Sequence, residues 1–272
     1  MVNLQTTFAG LQLSSPLILS SSGLTRSIDR TKALVEAGAG AVILKSIFEE
    51  QILMHTGHLL AHNEYPEAAD YIASYTRVEA VDEYLLRRAK AELSVPIIAS
   101  INCSGLESWT DFAQKLKEAG ADALEVNIMR LETSRFYDPV AGEELYLEIV
   151  RRLRTVGLPL IIKLSRQHTA LPTLVDKLRA AGATAVTLFN RSYQLDIDLE
   201  REQIVGGDVF SHAGDFAETL RFTGLIRGVV PGVELAASTG IYGWQELTKI
   251  LLAGADVAQM CTAVYKHGPS II

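Results

Sequence analysis

The stretch EAGAGAVILKS at residues 36–46 joins a helix ending, a glycine turn and an apolar run that finishes on a lysine and a serine. Similar phrases recur as EAGADALEVN at 118–127, AAGATAVTLFN at 180–190 and LAGADVAQMCT at 252–262. A glycine just past a helix favours the left-handed C-cap conformation at little steric cost. An apolar run without polar alternation is typical of a strand that is covered on both faces. The repeat therefore predicts a series of helix-turn-strand units.

Further apolar runs bring the number of candidate strands to eight, at 15–21, 95–101, 158–164 and 233–238. Amphipathic segments lie between most of the candidate strands, at 29–38, 108–120, 142–157, 172–182 and 243–254. Eight strands that alternate with helices predict an α/β fold, a (β/α)8 TIM barrel that forms a single domain over 1–272. A doubly wound parallel sheet uses the same alternation and is the alternative.

The segments outside this alternation predict where the two ends of the barrel lie. Residues 3–16 alternate around Ala9-Gly10 and predict a hairpin that closes the barrel bottom. Long loops are expected after the second, fourth and sixth strands, at 47–94, 129–141 and 191–232, on the catalytic face. After the last strand only AVYKHGPSII remains, which is short for a closing helix, so we expect the recorded chain to be truncated there.

Composition narrows the function classes. The 272 residues carry a formal net charge of −7, which argues against nucleic acid as a partner because phosphate binding needs clustered Lys and Arg. Cys103 and Cys261 lack a CxxC spacing, so we expect a reduced, cytoplasmic setting. The apolar runs are shorter than the roughly 20 residues that span a bilayer, and no membrane partner is expected.

Polar residues stand at the carboxyl ends of the predicted strands, which converge on one mouth in a barrel. They are Ser20 to Gly23, Lys45, Ser46, Ser100, Asn102, Asn127, Lys163, Asn190, Ser238 to Gly240, Cys261 and Thr262. One lysine alone would equally fit a buried stem whose ammonium reaches water. Because all of these residues stand at the same end of their strands, the set as a whole predicts a small-molecule site. Glycines and hydroxyls after the last two strands are typical of phosphate binding, or of ordinary turns. With the three amides they favour a phosphorylated cofactor that has a planar ring.

The sequence resembles the dihydroorotate dehydrogenase family of FMN-dependent (β/α)8 barrels, especially its cytosolic class 1 members, over nearly its whole length. The motifs that carry the resemblance are TTFAGLQLSSPLILSSSG (6–23), LKS (44–46), LEVN (124–127), IIKLS (161–165), LFNR (188–191), VGGDVFS (205–211) and LLAGADVAQMCTAVYKHG (251–268). The resemblance implies oxidation of a CH–CH bond by hydride transfer to FMN, as in pyrimidine biosynthesis. It also implies a homodimer, with fumarate, NAD or another electron acceptor.

The resemblance assigns roles residue by residue. The implied FMN contacts are Ser21, Ser22, Lys45, Ser46, Asn127, Lys163, Gly207, Thr239, Gly240, Cys261 and Thr262. The implied substrate contacts are Lys45, Asn127, Asn190 and Arg191. Lys163 would stabilise reduced flavin, since a cation beside N1 and the C2 carbonyl favours that form. Lys45 would lie between flavin and substrate.

Three departures from the family pattern predict a changed substrate. In NIMRLE (127–132), Arg130 stands at the position of the catalytic base, and an arginine stays protonated. AHNEYPE (61–67) replaces the family's substrate loop, and Arg191 replaces a serine. The two arginines would pair with a substrate carboxylate or be solvated. Cys103 would replace the lost base or be a buried spectator thiol.

Two function classes compete with an FMN oxidoreductase. One is a flavin-free barrel lyase or isomerase that uses Lys45 or Lys163 on a phosphorylated metabolite. The other is a non-catalytic flavin-binding relative. His55, His58 and His62 have helical spacing, but they lack companion ligands in the sequence, so a solvated segment rather than a metal site is expected.

Overall fold

The computed structural model describes residues 3–48, 85–103, 109–128, 135–136, 138–191 and 194–272. Its strands, in chain order, are β1 (Thr6–Phe8), β2 (Leu11–Leu13), β3 (Leu17–Leu19), β4 (Ala41–Ile43), β5 (Ile47–Phe48), β6 (Ile97–Cys103), β7 (Ala123–Ile128), β8 (Leu160–Leu164), β9 (Ala185–Leu188), β10 (Leu195–Asp198), β11 (Gln203–Gly206), β12 (Glu234–Ser238) and β13 (Val257–Met260). The α-helices lie at Ile28–Glu36, 85–92, Trp109–Glu118, Pro139–Leu153, Leu171–Ala181, Phe216–Val229, Trp244–Leu252 and Thr262–His267.

The parallel strands form a closed ring. The hydrogen-bonded order is β4-β3-β13-β12-β9-β8-β7-β6, and a further pairing of β4 with β6 closes it. The short β5 also pairs with β6. β4 and β5 are therefore two consecutive parts of one barrel strand, which is interrupted between Ile43 and Ile47. Closure excludes the doubly wound sheet, whose two edges stay open, and confirms the predicted (β/α)8 barrel.

The sequence repeat has a structural meaning at the bottom of the barrel. Gly120, Gly182 and Gly254 end helices at φ of +103°, +120° and +107°. Two positions after each glycine, a polar side chain accepts the backbone N–H of a residue in the preceding strand. These bonds run from Ile97 to Asp122 at 2.7 Å, from Leu160 to Thr184 at 3.2 Å and from Leu235 to Asp256 at 2.7 Å. The repeat therefore supplies hydrogen-bond acceptors for backbone N–H groups that the pairing of parallel strands leaves without a partner.

The first repeat unit differs because it has a glycine at the equivalent position. A Cβ atom on Gly40 would lie 2.1 Å from the carbonyl oxygen of Ser15. The chain that enters β3 is thus pressed against this turn, and no side chain fits between them.

An apolar plug fills the bottom of the barrel, as the hairpin prediction requires. Phe8 and Leu13, from the β1–β2 hairpin, pack against inward residues of the barrel strands such as Ile18, Ile98 and Ile161. Phe8 and Ile18 have no exposed surface. A separate, larger core lies between the outside of the strands and the helices. The ligand site must therefore lie above the plug, at the carboxyl ends of the strands.

The predicted long loops contain more regular structure than the sequence analysis assigned. The long connection at 191–232 is present as predicted, and it holds the β10–β11 hairpin and the 14-residue helix Phe216–Val229. Gly224 and Gly228 interrupt the helical pattern in the sequence, and tertiary packing overrides their low propensity. Of 47–94, the described part comprises β5 and the stretch from 85 onward, which includes the helix 85–92.

The chain after β13 is also helical. The helix Thr262–His267 is followed by a 3-10 turn, Gly268–Ile271. Among the described residues, no helix combines the length and apolarity needed to cross a bilayer.

Candidate functional site

A ring of polar side chains lies above the apolar plug. Strand residues alternate between the two faces of a sheet, so the inward positions of β7 are Ala123, Glu125 and Asn127. The corresponding middle positions of other strands carry polar residues that are at most 7% exposed. The ring members are Ser20, Ser100, Glu125, Lys163, Thr187, Ser238 and Gln259.

Lys163 is the centre of this ring. Its Nζ lies 3.0 Å from Oε1 of Gln259, 3.3 Å from Oε1 of Glu125 and 3.4 Å from Oγ of Ser20. β8 and β13 are separated by two strands in the ring, so the bond to Gln259 crosses the interior of the barrel. The lysine is therefore a buried, hydrogen-bonded cation whose ammonium does not extend into water.

Glu125 supplies the opposite charge and is completely buried. Its Oε2 accepts hydrogen bonds from Nε2 of Gln259 at 2.5 Å and from Oγ1 of Thr187 at 3.2 Å. Both carboxylate oxygens are thus occupied, which is the condition under which a buried ion pair is tolerated. The sequence analysis missed Glu125, Thr187 and Gln259 as members of the site. An acid between apolar residues of a strand, two positions before Asn127, was the signal that could have found them.

A cleft opens above the ring and encloses about 590 Å³ of space that is continuous with solvent. Ten residues predicted from the sequence line it, namely Ser20, Ser21, Lys163, Asn190, Arg191, Ser238, Thr239, Gly240, Cys261 and Thr262. The polar strand ends therefore do converge on one space.

Other predicted residues lie beside the cleft and contact its lining. Oγ of Ser46 lies 2.9 Å from Oγ of Ser21 and 2.8 Å from Oγ of Ser100, and Ser21 accepts the backbone N–H of Ser46 at 2.8 Å. Ser22 accepts the N–H of Leu24 at 3.3 Å and so caps a 3-10 turn. These serines brace one side of the mouth.

Lys45 and Cys261 form an electrostatic group with Lys163. Burial lowers the pKa of Lys45, the cations Arg26 and Lys163 lower it further, and Cys261 opposes them. Burial raises the pKa of the Cys261 thiol, against a hydrogen bond from Ser22 and the two lysines. Burial therefore disfavours the charged form of both the Lys45 ammonium and the Cys261 thiol.

In the described part of the chain, two buried polar atoms in or beside the cleft have no hydrogen-bond partner. Nδ2 of Asn127 donates to Oδ1 of Asn102 at 2.6 Å, but its own Oδ1 is unpaired. Arg191 donates from its two terminal nitrogens to the carbonyl of Asp208 at 2.7 Å and to Oε1 of Gln194 at 3.2 Å, and its Nε is unpaired. Buried polar atoms without partners are uncommon in proteins, and each calls for a partner such as a ligand or an ordered water molecule.

The opposite side of the cleft is a cradle of backbone at the end of β12. Thr239 and Gly240 have φ of +84° and +80°, and Thr239 bonds the carbonyl of Phe189 through its hydroxyl at 3.0 Å. A Cβ atom on Gly240 would lie 2.3 Å from the backbone nitrogen of Phe216. Only glycine fits here, because the turn packs directly against the backbone at the start of the helix Phe216–Val229.

Some predicted residues lie away from the cleft or outside the described part of the chain. Gly207 ends the β10–β11 hairpin, where its N–H donates to the carbonyl of Gln194 at 2.8 Å, and it does not line the cleft. Arg130, the side chain of Cys103 and the histidines at 55–62 lie outside the described residues.

Fold and cleft together define a (β/α)8 barrel with a candidate small-molecule site at the carboxyl ends of its strands. A sequence model of the dihydroorotate dehydrogenase family matches residues 3–272. The chain belongs to the dihydroorotate dehydrogenase family, whose enzymes are flavin-dependent oxidoreductases that act on CH–CH groups.

Curated relatives cover the chain from end to end at low identity. The catalytic subunit of dihydroorotate dehydrogenase B (NAD(+)) from Thermoplasma volcanium is 27% identical over 285 residues, which cover 100% of this chain and 90% of that protein. The same subunit from Pyrococcus abyssi is 26% identical, with 98% and 90% covered. The NAD-dependent dihydropyrimidine dehydrogenase subunit PreA of Escherichia coli is 25% identical, with 99% and 70% covered. The relatives therefore differ among themselves in substrate.

Proposed function

We propose that the chain binds one FMN in the cleft and oxidises a small dihydropyrimidine-like ring, with a preference that differs from dihydroorotate. The observation that supports the cofactor is a pair of features at the mouth of the barrel. The Thr239-Gly240 turn lines the cleft, where its backbone N–H groups would bind a phosphate, and the unpaired Oδ1 of Asn127, beside Lys163 on the neighbouring strand, fits an N–H donor of a planar heterocycle. The residues present therefore fit FMN.

Bound FMN would supply the acceptor for a hydride, which no protein side chain provides. Lys163 supports this chemistry because its buried ammonium lines the cleft at a fixed point, held by Glu125 and Gln259. A fixed cation stabilises negative charge that develops nearby without the cost of reorienting solvent. Lys45, Ser46 and Ser21 would hold the ring in the mouth.

Arg191 and Asn190 are the proposed substrate contacts. Both line the cleft, and the two terminal nitrogens of Arg191 are already bonded to Asp208 and Gln194. Its Nε and the second N–H of each terminal nitrogen are left as donors for a substrate, and a carboxylate or ring carbonyl is the acceptor that fits a guanidinium. The arginine is thus oriented before substrate binds, which lowers the entropic cost of recognition.

Dihydroorotate should be a slow substrate because Arg130 stands where the family has its base. A positioned base contributes about 10²–10⁴-fold to proton abstraction. The test is anaerobic reduction of the bound flavin by dihydroorotate and by dihydrouracil, which lacks the carboxylate, followed by absorbance. We expect slow reduction by dihydroorotate, and Arg191→Gln should weaken binding of whichever substrate carries a carboxylate while leaving dihydrouracil unaffected.

Arg191→Lys is the matched control because it keeps the charge and removes the bonds to Asp208 and Gln194. Rapid reduction by dihydroorotate, with no effect of Arg191→Gln, would contradict the proposed change of substrate. A flavin that no dihydropyrimidine reduces would instead favour a non-catalytic flavin-binding relative.

The proposed assembly is a homodimer through the β10–β11 hairpin. One face of this hairpin carries Leu195, Ile197 and Ile204, which are 64%, 61% and 72% exposed, while Asp196 and Asp198 lie on the other face. An amphipathic hairpin whose apolar side is uncovered favours burial against another chain. A cytoplasmic location and a role in pyrimidine metabolism belong to the same proposal.

A further inference from the structure

We propose that Glu125 sets the redox potential of the flavin by neutralising Lys163 from below. The proposal rests on the proposed binding of FMN in the cleft. It concerns a residue that acts through another residue and does not itself line the cleft. Glu125 is accordingly a positioning residue, because it acts by changing the charge that Lys163 presents to the flavin.

The geometry separates the two charges by depth. Lys163 lines the cleft and is 6% exposed, whereas Glu125 lies beneath it with no exposed surface. Their charged atoms are 3.3 Å apart. A group in the cleft therefore meets a cation whose charge is offset by a carboxylate directly behind it, and water reaches this pair only from the cleft side.

The carboxylate is fixed in this position by neutral groups. Gln259 donates to Oε2 of Glu125 and accepts from Lys163, so one amide orients both partners. Thr187 donates a further bond to the same carboxylate oxygen. No rotation of Glu125 is possible without breaking these bonds, and its effect on the cleft is therefore constant.

Stability does not account for the pair. Replacement of a buried ion pair by apolar residues of similar volume is often neutral or stabilising. A charge-balancing role does account for it, because an unopposed cation at this depth would favour the reduced, negatively charged flavin and hinder its reoxidation. The pair keeps a cation beside the flavin ring and limits the amount by which this cation raises the midpoint potential of the flavin.

The test is the midpoint potential of bound FMN, measured by spectroelectrochemistry on the holoprotein. Glu125→Gln removes the charge and keeps the shape, and it should shift the potential upward by about 30 mV, which is a tenfold change in preference for a two-electron couple. Lys163→Met should shift it downward. The double variant, which restores a neutral pair, should lie between them and near the wild type.

Thr187→Val is the matched control, since it removes one hydrogen bond to Glu125 without changing the charge. A small shift is expected from it. If Glu125→Gln does not fold, Lys163→Met is compared with the double variant, and removal of the carboxylate should again raise the potential.

The proposal is overturned if the carboxylate's removal leaves the potential unchanged or lowers it while FMN stays bound, or if Thr187→Val shifts it equally. Calorimetric titration with FMN separates this failure from that of the proposed function. A wild-type protein that binds no FMN overturns both, whereas bound FMN with unmoved potentials overturns only the role of Glu125.

Discussion

The ammonium of Lys163 lies 3.3 Å from the carboxylate of Glu125, and the carboxylate is fully buried. This pair forms part of the layer between the apolar plug of the barrel and the open cleft. Its members come from adjacent strands, in which Asn127 rather than Glu125 pairs in register with Lys163. The barrel thus places a carboxylate below the lysine and an amide beside it.

The first prediction is that one half of this ion pair cannot be removed without a large loss of stability. Glu125→Leu leaves a buried cation uncompensated and should lower the free energy of unfolding by about 3–5 kcal/mol. The double variant Glu125→Leu/Lys163→Met should lose far less. Urea unfolding of the apoproteins measures both values, and equal losses in the two variants would contradict the pairing.

The second prediction concerns the cradle at Gly240. Gly240→Ala places a Cβ atom 2.3 Å from the backbone of Phe216 and requires an alanine at φ of +80°, so the turn must shift. We expect FMN affinity to fall at least about tenfold, which is roughly 1.4 kcal/mol. Gly214→Ala is the control, since nothing lies within 4 Å of its added Cβ. Equal effects of the two substitutions on calorimetric affinity would remove Gly240 from the site.

The main features of the fold follow from local sequence signals. The glycine of each repeat fixes a helix end, and the apolar runs identify strands that are covered on both faces. The closed ring then follows from eight strands that alternate with helices. The helix Phe216–Val229 was missed because Gly224 and Gly228 weaken a local pattern that tertiary packing restores.

The site was only partly predictable, for a reason of geometry. Polar residues at strand ends, such as Asn190 and Cys261, were found because the ends of parallel strands converge. Glu125 and Gln259 lie one inward position deeper, within runs read as apolar. Their partnership depends on contacts across the barrel interior, which no local window of sequence contains. Arg191 was found only through the resemblance to the family.

The third prediction uses the thiol of Cys261, whose pKa burial raises above its usual value of 9.0. The thiol is therefore neutral at pH 7, and its alkylation should stay slow until the pH rises above 9.0. Because the pKa is raised in the folded protein, the unfolded chain loses the Cys261 proton first as the pH rises. Ionisation of this thiol therefore leaves the free energy of unfolding unchanged well below pH 9.0 and lowers it as the pH rises from 9.0 through the folded pKa. Peptide mass spectrometry after iodoacetamide treatment measures the rate at Cys261, with urea-unfolded protein as the reference.

FMN should protect Cys261 from alkylation because this residue lines the cleft. Rapid labelling of the folded protein at pH 7, at the rate of the unfolded chain, would contradict the burial of the thiol.

The fourth prediction concerns assembly through the β10–β11 hairpin. Ile197 and Ile204 pair across the hairpin on its exposed apolar face. Ile197→Lys/Ile204→Lys should convert a dimer into monomers in light scattering, while FMN affinity stays unchanged. Val229→Lys is the control, since it alters another exposed apolar residue, 60% exposed, on a different element. A dimer that persists in the hairpin variant would place the interface elsewhere.

The binding of FMN to the refolded, flavin-free protein tests the central claim most directly. Isothermal titration calorimetry, with absorbance spectra of the same samples, should give one FMN per chain and a flavin spectrum that differs from that of free FMN. The Gly240→Ala variant should bind more weakly than Gly214→Ala. A folded wild-type protein that gives no heat of binding and remains colourless after FMN is added would contradict the account.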